Sequence, residues 1–197
     1  MGTGEPLGQG LCVAGCGGLS KRAFGKFKRR KQDAYDTPAS CVMPLLPHLR
    51  GVGTFIEPCA GKGQLARVLC AEGLECVRAL DVEPRHPGVR HGDALTADFS
   101  RLHADAIITN PPWTREIMHP MIEHFQKFAP TWLLFDADWA HTKQAVPFLD
   151  QCTHIVSVGR VSWMENGTSG LDNCAWYRFD KQHEGGPRFF GQVKEAA

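Results

Sequence analysis

The sequence has 197 residues, of which 43% are hydrophobic, which is enough for one sizeable core but too little for two full domains. Its formal net charge of +1 at pH 7 excludes a strongly acidic or basic protein, so any charge-driven interaction has to be local. The longest apolar runs are far shorter than the roughly 18 residues of a membrane span, and the N-terminus lacks a secretory pattern. We expect a cytoplasmic protein with no membrane association.

The eight cysteines show no paired framework, and several stand in apolar stretches such as VLCAEGLECV. This pattern predicts reduced, buried thiols rather than disulfides. The histidines form no metal-binding motif, and neither a CxxC nor an HExxH pattern occurs, so no metal is expected. A zinc site at Cys12 and Cys16 with a distant histidine is the alternative.

Residues 1–33 are rich in Gly and then in basic residues, and they predict a flexible extension. Residues 21–31, KRAFGKFKRRK, hold seven Lys or Arg and no acid. Lys28, Arg29 and Arg30 in this run suit contacts with phosphate groups, with some stacking from the interleaved phenylalanines. A solvated tail is the alternative for each of them.

Short apolar runs alternate with helical periods over residues 34–182, which predicts one compact domain, and residues 183–197 are predicted to form a tail. Strands are predicted in GTFIE, CVRALD, GVRHGD, ADAIIT and TWLLFD, with two more around the Gly-rich connection in HIVSVGRVSWMENGTSGLDNCAWYRFD. Helices are predicted in TPASCVMPLLPHL, QLARVLCAEG and TKQAVPFLD. IMHPMIEHFQKF predicts an interrupted helix with Met118, Met121, Ile122 and Phe125 on one side.

This alternation predicts an α/β fold. Near-continuously apolar strands separated by helices are typical of a mostly parallel sheet, here seven-stranded, with helices on both faces and an antiparallel hairpin at one edge. In such sheets ligands bind beyond the carboxyl ends of the strands, near the point where strand order reverses.

The unusual residues fall where the predicted strands end. EPCAGKG follows the first strand, and Gly61 and Gly63 would let the backbone approach a ligand at a helix start. Asp81, after the second strand, could accept hydrogen bonds from a ribose diol, and Asp93, after the third, could meet an adenine edge. An ordinary turn or helix cap is the alternative for each position alone. Together they favour a nucleoside-bearing cofactor.

The stretch IITNPPWT places an amide, two prolines and an aromatic ring at the end of the fourth strand. Asn110 offers a side-chain carbonyl, and Pro111 frees its backbone carbonyl with φ fixed. Pro112 stiffens the turn, and Trp113 supplies a flat face for stacking. Two acceptors beside an aromatic ring suit a planar amine. The alternative is a strand ended by prolines, with a tryptophan in the core.

EPCAGKG, Asp81, Asp93 and NPPW, in that order and after YDTPAS, resemble the motifs of class I S-adenosylmethionine-dependent methyltransferases. NPPW resembles their amino-methylating branch, notably the N6-adenine DNA methyltransferases. The match runs from Tyr35 to Phe179 and implies a Rossmann-like fold with S-adenosyl-L-methionine as cofactor. Lys62, a bulky cation inside the glycine turn, and Cys59 depart from the family pattern.

The resemblance implies a role for each matching position. The TP segment would lie near the methionine end of the cofactor, and the glycine turn would line its amino-acid portion. The acid after the second strand would hold the ribose, and the acid after the third would face the adenine. The implied cofactor-binding positions are Asp36, Thr37, Pro38, Glu57, Pro58, Cys59, Ala60, Gly61, Gly63, Asp81, Val82, Asp93, Ala94 and Asn110.

The implied reaction is methylation of the exocyclic N6 amine of adenine in DNA, with short or relaxed sequence specificity. The lone pair of an aryl amine is delocalised, and acceptance of both N–H hydrogens by Asn110 and the Pro111 carbonyl would make it available. Trp113 would stack on the base after its extrusion from the duplex. Arg115 and the basic run are further candidate substrate contacts, and the catalytic set is Asn110, Pro111, Pro112 and Trp113.

Three loops are expected to frame the substrate entrance, at residues 115–119, 138–143 and 165–172. Trp139, Trp163 and Trp176 are interpreted as core or rim residues. An RNA base amine or a protein glutamine amide remains open as the acceptor, because each presents a planar NH2. A non-catalytic nucleic-acid-binding module is the alternative from another class. The oligomeric state, monomer or dimer, and a phage origin stay open.

Overall fold

The computed structural model describes residues 36–163, 170 and 173–192. Outside these residues lie the basic extension with Lys28, Arg29 and Arg30, the alternative zinc site at Cys12 and Cys16, and all of the 165–172 entrance loop except Gly170.

The chain builds one α/β unit. The strands are β1 (Thr54–Glu57), β2 (Glu75–Asp81), β3 (Arg90–His91), β4 (Ala106–Thr109), β5 (Thr131–Asp136), β6 (Cys152–Arg160), β7 (Asn173–Phe179) and β8 (Arg188–Phe190). The helices are α1 (Ala39–Val42), α2 (Gln64–Ala71), α3 (Arg115–Phe125) and α4 (Val146–Leu149), with 3-10 turns at Leu46–His48 and Ala137–His141.

The eight strands of the described residues form one sheet in the order β3-β2-β1-β4-β5-β7-β6-β8. Strands β1 to β5 run parallel, whereas β7 lies between β5 and β6 and is antiparallel to both. The predicted fold class is confirmed. The sheet has one strand more than predicted, because β8 pairs in parallel with β6 and forms one edge of the sheet. β8 lies within the predicted tail at 183–197, and its sequence RFF is too short to show a period.

Apolar side chains cover both faces of the sheet. Phe55 of β1 packs in the same buried cluster as Leu69 of α2, whereas its neighbour Ile56 packs in the cluster that contains Ile122 of α3. Adjacent residues of a strand point to opposite faces, so a strand that is apolar at every position is covered on both sides. The prediction of helices on both faces is confirmed.

Helix α3 buries one side. Met118, Met121, Ile122 and Phe125 are all buried, as the apolar spacing predicts. The predicted interruption is wrong: the helix continues through Pro120, whose side chain is exposed and so disturbs no packing. No helix in the described part of the chain is long and apolar enough to cross a membrane.

The strand order positions the site. From β1 the chain runs outward to β2 and β3, then returns to β4 on the other side of β1. The connections that leave β1 and β4 therefore diverge, which leaves a crevice beyond their carboxyl ends. Glu57 ends β1, Asp81 ends β2 and Thr109 ends β4, so the glycine turn and NPPW meet at this crevice.

Candidate functional site

A cavity of about 310 Å³ opens at the carboxyl ends of β1, β2 and β4. Gly61 of the glycine turn and Asn110 of NPPW both line it, so one space joins the two motifs. The segment before α1, the loops after β2 and β3, and the start of α3 complete its wall.

The glycine turn depends on two residues with positive φ. Gly61 has φ +52° and Gly63 has φ +70°, a region that favours glycine. A Cβ at Gly61 would also lie 2.5 Å from Nη2 of Arg85, so the Arg85 guanidinium would have to move away from the turn. The Gly61 N–H donates to Oδ2 of Asp81 at 2.8 Å, so the turn is held against the end of β2.

Asp81 organises the end of β2 while keeping capacity for a ligand. Its Oδ2 accepts the bond from Gly61, and its Oδ1 accepts the N–H of Glu83 at 2.8 Å. A carboxylate has about four lone-pair sites. Asp81 can therefore accept further hydrogen bonds from a diol in the cavity.

Glu57 is a buried acid in the cavity wall, with 2% of its surface exposed. Its Oε2 accepts the N–H of Ala66 in the first turn of α2 at 2.9 Å. Burial raises the pKa of Glu57 well above its ordinary value; the bond from Ala66 opposes this shift, and the charge of Asp81 adds to it. A positive charge in the cavity would favour the ionised form.

Two hydrogen bonds fix the Asn110 amide. Its Nδ2 donates to Oγ1 of Thr37 at 3.2 Å, and its Oδ1 accepts the indole Nε1–H of Trp113 at 3.1 Å. An indole N–H can only donate, so the amide oxygen has to face Trp113. Thr37 is buried, and its bond to Asn110 places the TP segment directly against the end of β4.

The remaining NPPW residues lie beside the cavity. Trp113 is half-buried and packs edge-on against Trp163, with ring centroids 5.7 Å apart and planes at 80°. Pro111 is buried, and no described residue donates a hydrogen bond to its carbonyl. Pro112 lines the cavity.

An ion cluster stands at one side of the cavity. Lys62 Nζ lies 2.9 Å from Oδ2 of Asp36, and Arg85 Nη2 lies 3.5 Å from its Oδ1. The Arg85 N–H also donates to the Gly61 carbonyl at 3.0 Å, which ties the loop after β2 to the glycine turn. The Lys62 side chain is thus paired with Asp36, and 51% of its surface is exposed.

Acidic groups dominate the charge of the cavity wall. Among the described residues that line it, Arg85 is the one cation. The acids are Asp36, Glu57, Asp81, Glu83 and Asp93. Such a wall suits a ligand with net positive charge that also carries one anionic group.

Most of the predicted site residues come together. Those that line the cavity are Asp36, Thr37, Glu57, Pro58, Cys59, Ala60, Gly61, Asp81, Val82, Asp93, Ala94, Asn110 and Pro112. Those outside its wall are Pro38, Gly63, Pro111, Trp113 and Arg115. Gly63 lines a second cavity, and the Arg115 guanidinium donates to the Gln144 side chain.

Several lining residues were not among the predicted ones. Arg85 and Glu83 belong to the loop after β2, where position directly beyond a strand end was the available signal. Ile117 and Met121 of α3 stand four residues apart, so one helical face continues from the core to the cavity.

The described cysteines are free thiols. Cys41, Cys152 and Cys174 are buried as predicted, whereas Cys70 is exposed. Cys59 lines the cavity, and its burial, with a contribution from the Asp81 charge, raises the pKa of its thiol. Within the described residues, no group of three or more His, Cys, Asp or Glu is placed to hold a metal ion.

No protein-family model matches the sequence, and a search of curated proteins finds no match. Solved structures do match. A Pyrococcus horikoshii protein provisionally named an RNA methyltransferase has a TM-score of 0.57 at 18% identity, over 80% of this chain and 92% of that one. A Listeria monocytogenes protein provisionally named a class I S-adenosylmethionine-dependent methyltransferase has a TM-score of 0.54 at 13% identity, over 83% and 67%.

A third match is a type I restriction-modification methyltransferase subunit from Streptococcus thermophilus, with a TM-score of 0.50 at 10% identity, over 80% of this chain and 47% of that one. At such identities the likeness concerns the fold. This chain therefore has the Rossmann-like fold of class I methyltransferases, with the acid-lined cavity at the strand ends.

Proposed function

We propose that the protein transfers a methyl group from S-adenosyl-L-methionine to the exocyclic N6 amine of adenine in DNA. One observation carries the proposal: a single cavity joins the Gly61 and Asp81 turn to the Asn110 amide. The Gly61 and Asp81 turn is of the kind that holds a nucleoside, and the Asn110 amide is an acceptor suited to a planar amine.

The cavity wall fits the charges of this cofactor, which carries a sulfonium, an ammonium and one carboxylate. Its net charge of about +1 suits a wall whose described residues include five acids and one cation, Arg85. Asp81 would accept bonds from the ribose hydroxyls, and the Arg85 guanidinium would bind the carboxylate. When bound, the cofactor supplies a methyl group activated by its sulfonium.

The amine needs help because its lone pair is delocalised into the base. Asn110 Oδ1 and the Pro111 carbonyl would accept its two N–H hydrogens and favour a pyramidal nitrogen. Oδ1 already accepts one bond from Trp113, and an amide oxygen has a second lone pair for the substrate. The hydrogen bond from the Trp113 indole thus fixes the orientation of the Asn110 amide oxygen. A general base with a shifted pKa is not required by this scheme.

The target base has to leave its helix, because a paired and stacked amine cannot reach a cavity wall. Trp113 is hydrogen-bonded to Asn110 and half-buried, and the exposed part of its ring would stack on the extruded base. Arg115 begins the helix that follows and would contact the adjoining phosphate or base.

A second candidate is methylation of an RNA base amine. The Pyrococcus horikoshii neighbour carries the name of an RNA methyltransferase, which supports this acceptor. The contacts proposed for Asn110 and Pro111 suit any planar NH2, including a glutamine amide, so they do not choose between acceptors. Loops around the mouth would make the choice.

The test is methyl transfer from radiolabelled cofactor to DNA, RNA and protein, side by side, followed by mass analysis of the nucleosides. We expect N6-methyladenine in DNA and none with Asn110→Ala. Label found in RNA alone would move the function to the second candidate. An absence of both label and cofactor binding in calorimetry would leave a non-catalytic module.

A further inference from the structure

A second cavity, of about 340 Å³, lies beside β2. Its wall holds three arginines and a histidine from different elements, Arg67 of α2, Arg78 of β2, Arg90 of β3 and His86 of the connecting loop. No acidic residue is among the described residues that line it. We call Arg67, Arg78, Arg90 and His86 the arginine groove.

The shortness of β3 creates this space. β3 has two residues, and they pair with Leu80 and Asp81 at the end of β2. Residues 76–79 of β2 have no strand on that side within the described parts of the chain, and they line the cavity. An uncovered strand edge presents backbone N–H groups, which can donate hydrogen bonds to an anion, as guanidinium groups do.

Among the described residues, none of the groove arginines forms an ion pair, and the one acid on which the charge of Arg67 acts is the buried Glu57, whose pKa it lowers. The ion pairs of the described residues involve Lys62, Arg85 and Arg178, and no carboxylate lies within ion-pair distance of Arg67, Arg78 or Arg90. Like charges gathered in one place repel each other, and a bound anion reverses that effect. The chain has a formal net charge of only +1, so this is a local concentration of charge.

The groove also borders the candidate site. Arg67 Nη1 donates to the Lys62 carbonyl at 2.7 Å, and Lys62 stands between Gly61, which lines the first cavity, and Gly63, which lines the second. One glycine turn therefore separates the two cavities. A polymer bound at the mouth of the first would have to cross only this turn to reach the second.

We propose that the arginine groove binds the phosphodiester backbone of the nucleic acid whose base is methylated. The inference rests on the proposed function and adds the surface that holds its substrate. Cations on three separate elements suit successive phosphates, which are spread along a strand. In sheets of this kind a carboxylate typically holds the ribose of a bound nucleotide, and the described wall of the groove has none, which favours the backbone of a polymer over a free nucleotide.

The test compares the full chain with an Arg78→Gln/Arg90→Gln double variant. The control is Arg50→Gln/Lys181→Gln, which loses the same charge at exposed positions that line neither cavity. Anisotropy would follow binding of a labelled DNA duplex of about 20 base pairs, and of RNA of the same sequence, from about 50 to about 200 mM salt. Calorimetry with the cofactor and thermal unfolding would check that the variants are folded.

We expect the groove variant to bind both duplexes about tenfold more weakly than the wild type, with a salt slope smaller by about 2. Its cofactor affinity and the duplex affinity of the control should match the wild type. An unchanged affinity and slope would overturn the proposal, and so would an equal loss in the control. Calorimetry with inorganic triphosphate completes the set, and loss of triphosphate binding with intact duplex binding would overturn the proposal in favour of a free anion site.

Binding is measured here without turnover, so the two proposals fail separately. A protein that binds duplexes through the groove but labels no nucleic acid would contradict the proposed function alone. A protein that methylates DNA with the groove variant at unchanged KM would contradict this inference alone.

Discussion

Two cavities of similar size, about 310 and 340 Å³, flank one glycine turn but differ in charge. The first has five acids and Arg85 among its described lining residues, whereas the second has three arginines, a histidine and no acid. Volume does not distinguish their ligands. The charge of the lining residues distinguishes them: it favours a cationic cofactor in the first cavity and a polyanion in the second.

The difference follows from the part of the sheet that each cavity uses. The first lies beyond strand ends, where Glu57 and Asp81 terminate β1 and β2 and line the crevice. The second lies along a strand edge, where Arg78 and Arg90 come from within strands and a two-residue β3 leaves the edge uncovered. Arg78 and Arg90 of the second cavity are absent from the described lining of the first, so substitutions at these two positions test the second cavity.

The largest expected effect is that of Asn110→Ala. Removal of the amide oxygen takes away one of the two acceptors proposed for the amine, and we expect methyl transfer to slow by at least about a hundredfold. Cofactor affinity should stay close to that of the wild type. Single-turnover transfer measures the first quantity, and calorimetry measures the second.

Asn173→Ala is the matched control for this change, because Asn173 is exposed at the start of β7 and lines neither cavity. It should transfer methyl groups at the wild-type rate. A variant at position 110 that loses cofactor binding yet transfers normally at saturation would contradict the role assigned to the amide.

Asp81→Asn should weaken cofactor binding by about 10- to 100-fold, since hydrogen bonds to a charged group contribute about 1.5–3 kcal/mol. The change keeps the shape of the side chain and removes the charge that holds the Gly61 N–H at 2.8 Å. Calorimetric titration gives the dissociation constant. Asp98→Asn is the control, because Asp98 also accepts a backbone N–H two residues later but lines neither cavity. Equal losses in both variants would refute the assignment.

Arg85→Gln tests the one cation among the described residues that line the first cavity. If its guanidinium binds the cofactor carboxylate, affinity should fall about tenfold, in the range for a charged hydrogen bond. The decarboxylated cofactor lacks that group, so its affinity should not change. Arg101→Gln is the control, since Arg101 is exposed and outside the cavity wall. A loss of the same size for both ligands would show that Arg85 maintains the conformation of the loop after β2 and does not bind the carboxylate.

Sequence patterns predicted the parts of the fold that repeat. Apolar strands β1, β2, β4 and β5 and the buried side of α3 show regular spacing, because a strand or helix repeats its environment along the chain. Position at the strand ends then predicted Asp81 and Asn110 as neighbours of one cavity. β8 was not predictable, because three residues after a Gly-Gly-Pro stretch carry no period.

The contacts between distant segments could not be predicted in this way. The Arg85 guanidinium reaches Asp36, and nothing in the local sequence of either segment indicates that pairing. The arginine groove gathers side chains from α2, β2 and β3, each of which alone looks like an ordinary surface arginine. Tertiary structure, in particular the length of β3, decides that they share one wall.

The smallest expected effect concerns stability and pH, through Glu57→Gln. Burial raises the pKa of Glu57 in the folded state above its unfolded value of about 4.3. The protonated form is therefore the one that favours folding: its contribution is complete below about 4.3 and is lost as pH rises through the raised pKa. Glutamine does not titrate and can still accept the Ala66 N–H, so the variant should gain a few degrees in Tm over the wild type as pH rises.

Thermal unfolding at several pH values, with Glu123→Gln as an exposed control, measures this difference. A Tm difference that is constant with pH would contradict the argument. Saturating S-adenosyl-L-methionine should shrink the difference, because a cation in the acid-lined cavity stabilises ionised Glu57 in the wild type. Added DNA without cofactor should not shrink it, since a polyanion brings no cation to Glu57. That contrast would separate the two cavities by charge in a single experiment.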